Sequence, residues 1–226
     1  MATRTKLKID WDWVRDEVKK KERVSSASKG LITSAMNERI EKAKFFADPK
    51  IVSAKKDVLS IKSDSIEIYG GEILRGKKLS HYLNGSQELH IFLVTIGKVL
   101  EDKASLLMKK GDYLGGYLLD RIGSLAVESL AKNFEEDLRK NYEAKNMSVS
   151  MRISPGYCDW PIEEQFNLAK TIDFSKAGVR LTRSCMMVPR KSITAIVGIG
   201  PKRLFSKTKS QCGICDKKDC DYRRAP

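Results

Sequence analysis

The sequence lacks the features that mark several large classes of enzymes and membrane proteins. It has no uninterrupted apolar run near the roughly 18 residues of a membrane-spanning helix, and its first residues lack the apolar core of a secretory signal. It contains no GxGxxG, GxxxxGK[ST], GxSxG or HExxH motif. Only two histidines are present, which argues against a histidine-rich metal site. We therefore expect a cytoplasmic protein that has no membrane segment.

Basic residues are in excess and give the 226-residue chain a formal net charge of +14. Lys and Arg neutralise phosphates, so a nucleic acid is one candidate partner. The basic residues are spread along the chain, however, and no recognisable nucleic-acid-binding motif accompanies them. A solvated surface, or one that suits an acidic partner protein, explains the charge at least as well, and nucleic acid is the less favoured partner.

The apolar periodicity predicts an α+β fold. The first fifty residues have helical spacing, whereas residues 51–75 and "ELHIFLVTIG" have the composition of strands. The longest predicted element is a helix of about thirty residues. Its apolar stripe consists of Leu114, Leu118, Ile122, Leu125, Leu130, Phe134 and Leu138. Because regular alternation of strands and helices is missing, we expect a mostly antiparallel twisted sheet with flanking helices, one long central helix and a helical N-terminal region.

Residues 151–161, "MRISPGYCDWP", break an extended segment with a Ser-Pro-Gly turn. Pro fixes one φ angle and Gly accepts a positive one, so the turn by itself is an ordinary chain reversal. On the long helix before it, Asp120, Ser124 and Glu128 follow one another at a spacing of four residues and share a flank. Polar residues at that spacing usually form the solvated side of a helix.

The segment from 152 to 192 resembles the S-adenosylmethionine-binding activation domain of cobalamin-dependent methionine synthase, in its stand-alone form. In that family, an Arg-x-x-x-Gly-Tyr motif precedes a Leu-Thr-x-Ser-x-x-Met-x-Pro-x-x-Ser motif. The matching residues are Arg152, Gly156 and Tyr157, followed by Leu181, Thr182, Ser184, Met187, Pro189 and Ser192. The stretch "LLDRIGSLAVE" is similar to the family's Asp-Arg helix, and the resemblance extends over roughly residues 80–205.

The resemblance divides the chain into three parts. Residues 1–80 are expected to form a helical and strand N-terminal region that packs on the main domain. Residues 81–205 would be the activation-domain-like core, and residues 206–226 a basic tail that carries cysteines.

The resemblance implies an activator that supports the reductive remethylation of inactive cob(II)alamin. The cobalamin-binding Asp-x-His-x-x-Gly motif is absent from this sequence, so the cofactor is expected on a separate cobalamin-dependent methionine synthase or other corrinoid protein. An electron donor such as flavodoxin or ferredoxin is implied as a second partner. The alternative that keeps the same fold is a non-catalytic regulatory or docking module for a corrinoid methyltransferase.

The ligand-binding residues implied by the resemblance are Arg152, Ser154, Gly156, Tyr157, Asp120 and Glu128. Arg152 offers a planar fork of donors that suits the carboxylate of S-adenosylmethionine. Ser154 and Gly156 would approach the ligand through backbone groups, and the Tyr157 ring would cover the adenine or face the sulfonium. Asp120 and Glu128 would supply negative potential near that sulfonium.

The sequence departs from the family pattern at three places. A glutamate of the Asp-Arg helix falls at Ser124, and an acidic position just before the arginine strand falls at Asn146. The tyrosine pair that follows the final strand becomes Leu204 and Phe205. These changes bear on the affinity for the ligand and on its identity.

The last residues contain "CGICDKKDC", in which Cys212, Cys215 and Cys220 are clustered. Two cysteines separated by two residues hold one metal ion well, and a third strengthens the site. An iron–sulfur cluster or zinc would take a fourth ligand from Cys158, Cys185 or another molecule. A redox-active thiol pair and an inert tail are the alternatives that the spacing leaves open.

Overall fold

The computed structural model describes residues 8–21, 29–205, 215 and 219. The helices of the described part are α1 (Trp11–Lys21), α2 (Lys29–Phe46), α3 (Lys77–Tyr82), α4 (Val99–Lys109), α5 (Tyr113–Glu143) and α6 (Glu164–Thr171). The strands are β1 (Lys50–Ile61), β2 (Ser65–Ile68), β3 (Ile73–Arg75), β4 (Glu88–Thr95), β5 (Met147–Val149), β6 (Arg180–Leu181), β7 (Met187–Val188) and β8 (Ser192–Pro201). A short 3₁₀ helix, Phe174–Ala177, lies between α6 and β6.

The main sheet has six strands in the order β3-β2-β1-β4-β8-β5. Every neighbouring pair in this sheet is antiparallel. The two short strands β6 and β7 form a separate hairpin. The predicted α+β fold, with its antiparallel sheet, long central helix and helical N-terminal region, is therefore confirmed.

The central strand β4 is buried on both faces, which explains why its sequence is an almost continuous apolar run. Side chains alternate between the faces of a strand. Phe92 and Val94 pack into a core with α1, α2, α4 and α5, whereas Ile91 and Leu93 pack into a second core. The sheet thus lies between a helical layer and a layer that contains α3, α6 and the 3₁₀ helix.

The predicted stripe of α5 is buried except at its first member. Leu118, Ile122, Leu125, Leu130, Phe134 and Leu138 all belong to the helical core, but Leu114 is half-exposed. A Cβ atom at Gly116 would lie 2.9 Å from the carbonyl oxygen of Ala104, so this glycine permits the close approach of α4.

The extended segment that precedes the Ser-Pro-Gly turn pairs with the sheet only at its start. Regular pairing with β8 ends at Val149, and the chain returns to β8 at a single bridge between Ile153 and Ile196. Among the residues described, no helix combines the length and the apolar character needed to cross a membrane. Most of the cysteine tail, with Cys212 and Cys220, lies outside the described residues.

Candidate functional site

The segment just before the turn is hydrogen-bonded to β8. The backbone groups of Ile153 and Ile196 exchange two hydrogen bonds of 2.9 Å. The hydroxyl of buried Ser150 accepts a hydrogen bond of 2.8 Å from the N–H of Gly198. These contacts fix the start of the turn, so the position of Arg152 is set by the sheet.

Local hydrogen bonds close the turn itself. The N–H of Gly156 donates to the carbonyl of Trp160 over 2.8 Å, and that of Tyr157 donates to the carbonyl of Ser154 over 3.2 Å. Gly156 has a φ of 91°, a conformation that favours glycine. Gly156 is exposed and Tyr157 is 47% exposed, so the turn presents backbone and an aromatic ring on the surface.

Arg152 lies against two carboxylates of α5. Its Nη2 atom is 2.5 Å from Oε1 of Glu128, and its Nη1 atom is 3.5 Å from Oε2 of Glu135. The two glutamates are seven residues apart, which separates them by about 10 Å along the helix and keeps them on one face. With a side chain only 13% exposed, Arg152 is a largely buried cation held between two anions.

Glu135 also binds a second arginine. Nη2 of Arg139 is 2.9 Å from Oε1 of Glu135, and Nη1 of Arg139 donates to the carbonyl of Val149 over 2.8 Å. Burial raises the pKa of Glu135 from its ordinary value, and Arg152 and Arg139 oppose that shift. The result is a chain of alternating charges, Glu128–Arg152–Glu135–Arg139, which we call the arginine–glutamate network.

A cavity of about 320 Å³ begins where this network ends. Its walls come from the end of α5, from β5 and from the residues that follow β8, namely Arg139, Glu143, Asn146, Met147, Ser148, Val149, Lys202, Arg203 and Phe205. The volume lies at the lower end of the range of about 300–1,000 Å³ typical of small-molecule sites. Three of the lining residues are basic and one is acidic, so the cavity favours an anionic group.

Two of the positions that depart from the family pattern lie in the wall of this cavity. Asn146 precedes β5, and Phe205 follows β8. The Phe205 ring lies 5.9 Å from the ring of Tyr82, whose hydroxyl accepts a hydrogen bond from the N–H of Met151. The cavity therefore connects, through packed side chains, to the residue that precedes Arg152.

The N-terminal half of α5 contains a different arrangement. Nζ of Lys191 is 2.7 Å from Oδ1 of Asp120 and 2.8 Å from Oγ of Ser124. Lys191 is 7% exposed and comes from the loop just before β8. Asp120 is eight residues, about 12 Å along the helix, from Glu128. The structure therefore brings Glu128 to Arg152 but pairs Asp120 with Lys191.

The second sequence motif builds the turn between β6 and β7. Thr182 accepts a hydrogen bond from the N–H of Met186 over 3.0 Å, and its hydroxyl lies 3.0 Å from that of Ser184. Ser192 donates to the carbonyl of Pro189 over 2.7 Å at the start of β8. These hydroxyl groups satisfy local backbone and side-chain partners, as expected for residues that shape loops.

Residues 158–160 follow the turn and have three separate roles. The carboxylate of Asp159 accepts from the N–H of Lys78, 2.9 Å away, at the start of α3. Trp160 is 2% exposed and belongs to the second core. Burial first, and then the neighbouring thiol of Cys215, raise the pKa of Cys158 to about 12.

Sequence patterns missed Glu135, Arg139 and Lys191. Glu135 and Arg139 are seven and eleven residues after Glu128, and that helical spacing was the available signal for a shared face. Lys191 had no such signal, because its contact with Asp120 depends on how the loop before β8 meets α5. The ligand contacts of all six predicted residues stay predictions, namely those of Arg152, Ser154, Gly156, Tyr157, Asp120 and Glu128.

Comparison with known proteins gives one family and one fold. Residues 79–222 match the family model described as the vitamin B12 dependent methionine synthase activation domain. The fold is similar to that of a crystal structure of the MetH reactivation domain bound to AdoHcy, with a TM-score of 0.60 and 18% sequence identity. The aligned region covers 89% of this chain and 75% of that chain. No curated protein matches the chain.

Proposed function

The chain belongs to the family of vitamin B12 dependent methionine synthase activation domains, and on that premise we propose that it binds S-adenosylmethionine and supports the reductive remethylation of inactive cob(II)alamin. The corrinoid would be carried by a separate cobalamin-dependent methionine synthase or related protein. The proposed setting is the cytoplasm, where thiols stay reduced.

The placement of Arg152 is the observation that carries this proposal. The arginine stands at the base of a rigid, surface turn whose sequence matches the family's Arg-x-x-x-Gly-Tyr motif. Its guanidinium is oriented by Glu128 and Glu135, so little side-chain entropy would be lost when a ligand carboxylate binds. In this proposal Glu128 is a positioning residue for Arg152 as well as a source of negative potential for the sulfonium.

The adjoining cavity supports the same ligand class. S-adenosylmethionine combines a carboxylate, a cationic sulfonium and a flat adenine, and therefore suits a site that has cations, carboxylates and aromatic rings. The cavity supplies Arg139, Lys202 and Phe205, and the turn supplies exposed Tyr157. Stacking or cation–π contact with such a ring contributes about 0.5–2 kcal/mol.

The chemistry requires one electron and one methyl group. The electron, from a low-potential donor such as flavodoxin or ferredoxin, reduces cob(II)alamin to cob(I)alamin on the partner. The cob(I)alamin electron pair then forms the bond to the methyl carbon, while the methyl–sulfur bond breaks and its electrons stay on sulfur. The products are methylcobalamin and S-adenosylhomocysteine, and the protein's task is to hold the methyl donor toward the partner.

The charge of the chain fits two successive acidic partners. Its formal net charge of +14 would speed association with an acidic corrinoid protein and with an acidic electron donor. Such steering is strongest at low ionic strength, because salt screens exposed charges beyond about 10 Å at 0.1 M.

A reactivation assay tests this proposal. Purified protein is mixed with a corrinoid protein in the Co(II) state, a low-potential electron donor and S-adenosylmethionine, and the cobalt absorbance is followed. We expect conversion to the methyl-cobalt spectrum only when all four components are present. Absence of methyl-cobalt with the native partner, despite measured binding of S-adenosylmethionine, would contradict the activator role and leave the alternative of a regulatory or docking module.

A further inference from the structure

The end of α4 and the first turns of α5 expose a cluster of large apolar side chains. Tyr113, Leu114 and Tyr117 of α5 are each at least 48% exposed, and Met108 of α4 is 38% exposed. The Met108 side chain lies against Gly116, because a Cβ atom there would be 2.5 Å from its Cγ atom. Met108 therefore joins the three residues of α5, and we call these four residues the apolar patch. Contiguous exposed apolar groups of this kind mark interaction surfaces.

The composition and charge of the apolar patch fit a protein partner. Tyr and Met are enriched at the centres of protein interfaces, whose rims are polar. Lys109 and Lys110 follow Met108 directly and are exposed. Among the ion pairs of the described residues, none includes either lysine. An apolar centre with a positive rim favours a partner whose own surface is apolar and bordered by acidic residues.

The apolar patch lies on the same side of α5 as the candidate ligand site. A second stripe of α5 has alternating spacings of three and four residues and contains no buried member, namely Leu114, Tyr117, Arg121, Ser124 and Glu128. Tyr117 and Glu128 are eleven residues apart, which is close to three full turns, so they point in nearly the same direction about 16 Å apart. Because Glu128 binds Arg152, the stripe leads from the patch to the family motif.

The size of a protein interface connects the patch with the ligand site. The protein that receives the methyl group must contact the ligand site, because a bond forms between its cobalt and the methyl carbon. A stable interface covers about 800 Å² on each protein, which corresponds to a disc about 32 Å across. A partner that reaches Arg152 along this stripe therefore also covers Tyr117. The electron donor has no such requirement, since it forms no bond to the methyl group.

We propose that the apolar patch, with Lys109 and Lys110 at its rim, is a docking surface for the protein that carries the corrinoid. The matching surface of that protein is apolar at its centre and acidic at its edge. Because it takes the corrinoid protein as the methyl acceptor, this docking surface rests on the proposed function. The patch binds the partner and not S-adenosylmethionine, so substitutions in it change only the affinity for the partner.

Leu114→Glu provides the first test. Leu114 is the second residue of α5 and is 50% exposed, and an acidic side chain is favourable in the first turn of a helix, so the variant should fold. It places a negative charge in the apolar centre, opposite an acidic rim. Calorimetry with the Co(II) corrinoid protein of the reactivation assay should show binding at least about tenfold weaker than that of the wild type.

Leu59→Glu is the matched control. It introduces the same side chain at a leucine that is 56% exposed, in the part of β1 that pairs with β2. We expect its affinity for the corrinoid protein to equal that of the wild type within about twofold. Equal weakening in both variants, or unchanged binding by Leu114→Glu, would overturn the docking surface.

Titration of the same proteins with S-adenosylmethionine separates this inference from the proposed function. Wild type, Leu114→Glu and Leu59→Glu should bind S-adenosylmethionine equally. If the wild type binds both S-adenosylmethionine and the corrinoid protein, a failure of Leu114→Glu to weaken the second interaction overturns the docking surface alone. If the wild type binds neither, the proposed function fails and the docking surface fails with it.

The rim is tested by the double substitution Lys109→Gln and Lys110→Gln. Rim charges act mainly on the rate of association. We expect the association rate with the corrinoid protein to fall by at least about threefold at low salt, and the difference to shrink at high salt, where exposed charges are screened. Equal association rates of wild type and variant at low salt would overturn the role of the two lysines.

Two other occupants of the patch give different results. If Leu114→Glu weakened binding of the electron donor, flavodoxin or ferredoxin, and left that of the corrinoid protein unchanged, the assignment of the partner would be wrong. Sedimentation of the wild-type chain tests a second copy of the protein. A dimer that Leu114→Glu dissociates would overturn the proposal, whereas a monomer in both proteins agrees with it.

Discussion

The two halves of α5 carry acidic side chains on one flank but meet different partners. In the N-terminal half, Asp120 and Ser124 share the single ammonium group of Lys191. In the C-terminal half, Glu128 and Glu135 hold Arg152, and Glu135 also holds Arg139 at the edge of the cavity. The first arrangement joins a helix to a loop, whereas the second joins a helix to the turn of a family motif.

This difference shows that helical spacing alone does not identify a binding residue. Asp120 and Glu128 lie on one flank of the helix, yet one faces a compact lysine and the other a planar arginine. Guanidinium groups suit the bidentate recognition of carboxylates, and ammonium groups act as point charges. We therefore infer that the C-terminal half recognises the ligand and that the N-terminal half stabilises the fold.

Of the substitutions that test this comparison, Arg152→Ala is expected to lower the free energy of unfolding most. It leaves two largely buried carboxylates without their shared cation, and breaking a buried pair costs about 3–5 kcal/mol. We expect the lower end of that range, because Glu135 keeps Arg139 and Glu128 is 24% exposed. Urea unfolding measures the loss.

Arg190→Ala is the control for this variant. The Arg190 side chain is 57% exposed and lies 3.8 Å from Glu101, and its backbone N–H, which also binds Glu101, is retained. Its loss should change stability by less than about 1 kcal/mol. Equal losses in both variants would remove the distinction drawn for Arg152.

Lys191→Met should have the next largest effect. It should lower the free energy of unfolding and leave the affinity for S-adenosylmethionine unchanged. The variant keeps most of the apolar stem but removes charged hydrogen bonds to Asp120 and Ser124, which are worth about 2 kcal/mol together. Lys98→Met removes a lysine that is 61% exposed and paired with Asp102, and it should cost less than about 1 kcal/mol. If Lys191→Met weakened S-adenosylmethionine binding as much as Arg152→Ala does, Asp120 would belong to the ligand site.

The pH dependence of stability tests the buried carboxylate of the C-terminal half. Because burial raises the pKa of Glu135 above its ordinary 4.5, the folded protein holds this proton more tightly than the unfolded chain. Its contribution is fully present below pH 4.5 and is lost as pH rises through the folded pKa. Wild-type stability should therefore decline relative to Glu135→Gln as pH increases above 4.5.

Urea unfolding of both proteins between pH 3 and pH 7 measures this difference. Asp173→Asn is the control, because its carboxyl pKa is lowered by the hydrogen bond from Ser175, so its trend with pH should have the opposite sign. If the free energies of unfolding of wild type and Glu135→Gln changed with pH in parallel, folding would not raise the pKa of Glu135.

The smallest expected effect concerns the cavity wall. Phe205→Tyr adds a hydroxyl at a position where the family has a tyrosine, beside Lys202 and Arg203. One new hydrogen bond of about 0.7 kcal/mol would tighten S-adenosylmethionine binding by about threefold. Phe45→Tyr alters a ring of α2 that is 85% exposed, so it should leave the affinity for S-adenosylmethionine unchanged. An equal change of affinity in both variants would show that the cavity is not part of the ligand site.

Local patterns predicted most of the fold because its elements are strongly periodic. The apolar run of β4 and the stripe of α5 gave both element types and most of the core. The short pairing of β5 was less accessible, because its end at Val149 depends on the return of the chain to β8 at Ile153. The divisions after residues 80 and 205 stay predictions, although β1, β2 and β3 complete the sheet that β4 and β8 begin.

The candidate site was predictable only where a motif named it. Arg152, Gly156 and Tyr157 came from the family resemblance, and Glu128 came with the helix. The partners that give these residues their setting lie far from them in sequence, as the contacts of Arg152 with Glu128 and of Ile153 with Ile196 show. Such contacts depend on tertiary packing, which a single sequence does not reveal.

Calorimetric titration with S-adenosylmethionine tests the central claim most directly. The wild-type protein, Arg152→Lys and Lys191→Met are compared at one pH and one salt concentration, after each is shown to be folded. We predict binding by the wild type and by Lys191→Met with the same Kd within about twofold, and binding at least about tenfold weaker by Arg152→Lys, which keeps the charge but loses the planar fork. Equal affinity in all three proteins, or no binding by the wild type, would contradict the assignment of the C-terminal half of α5 as the ligand-recognising half.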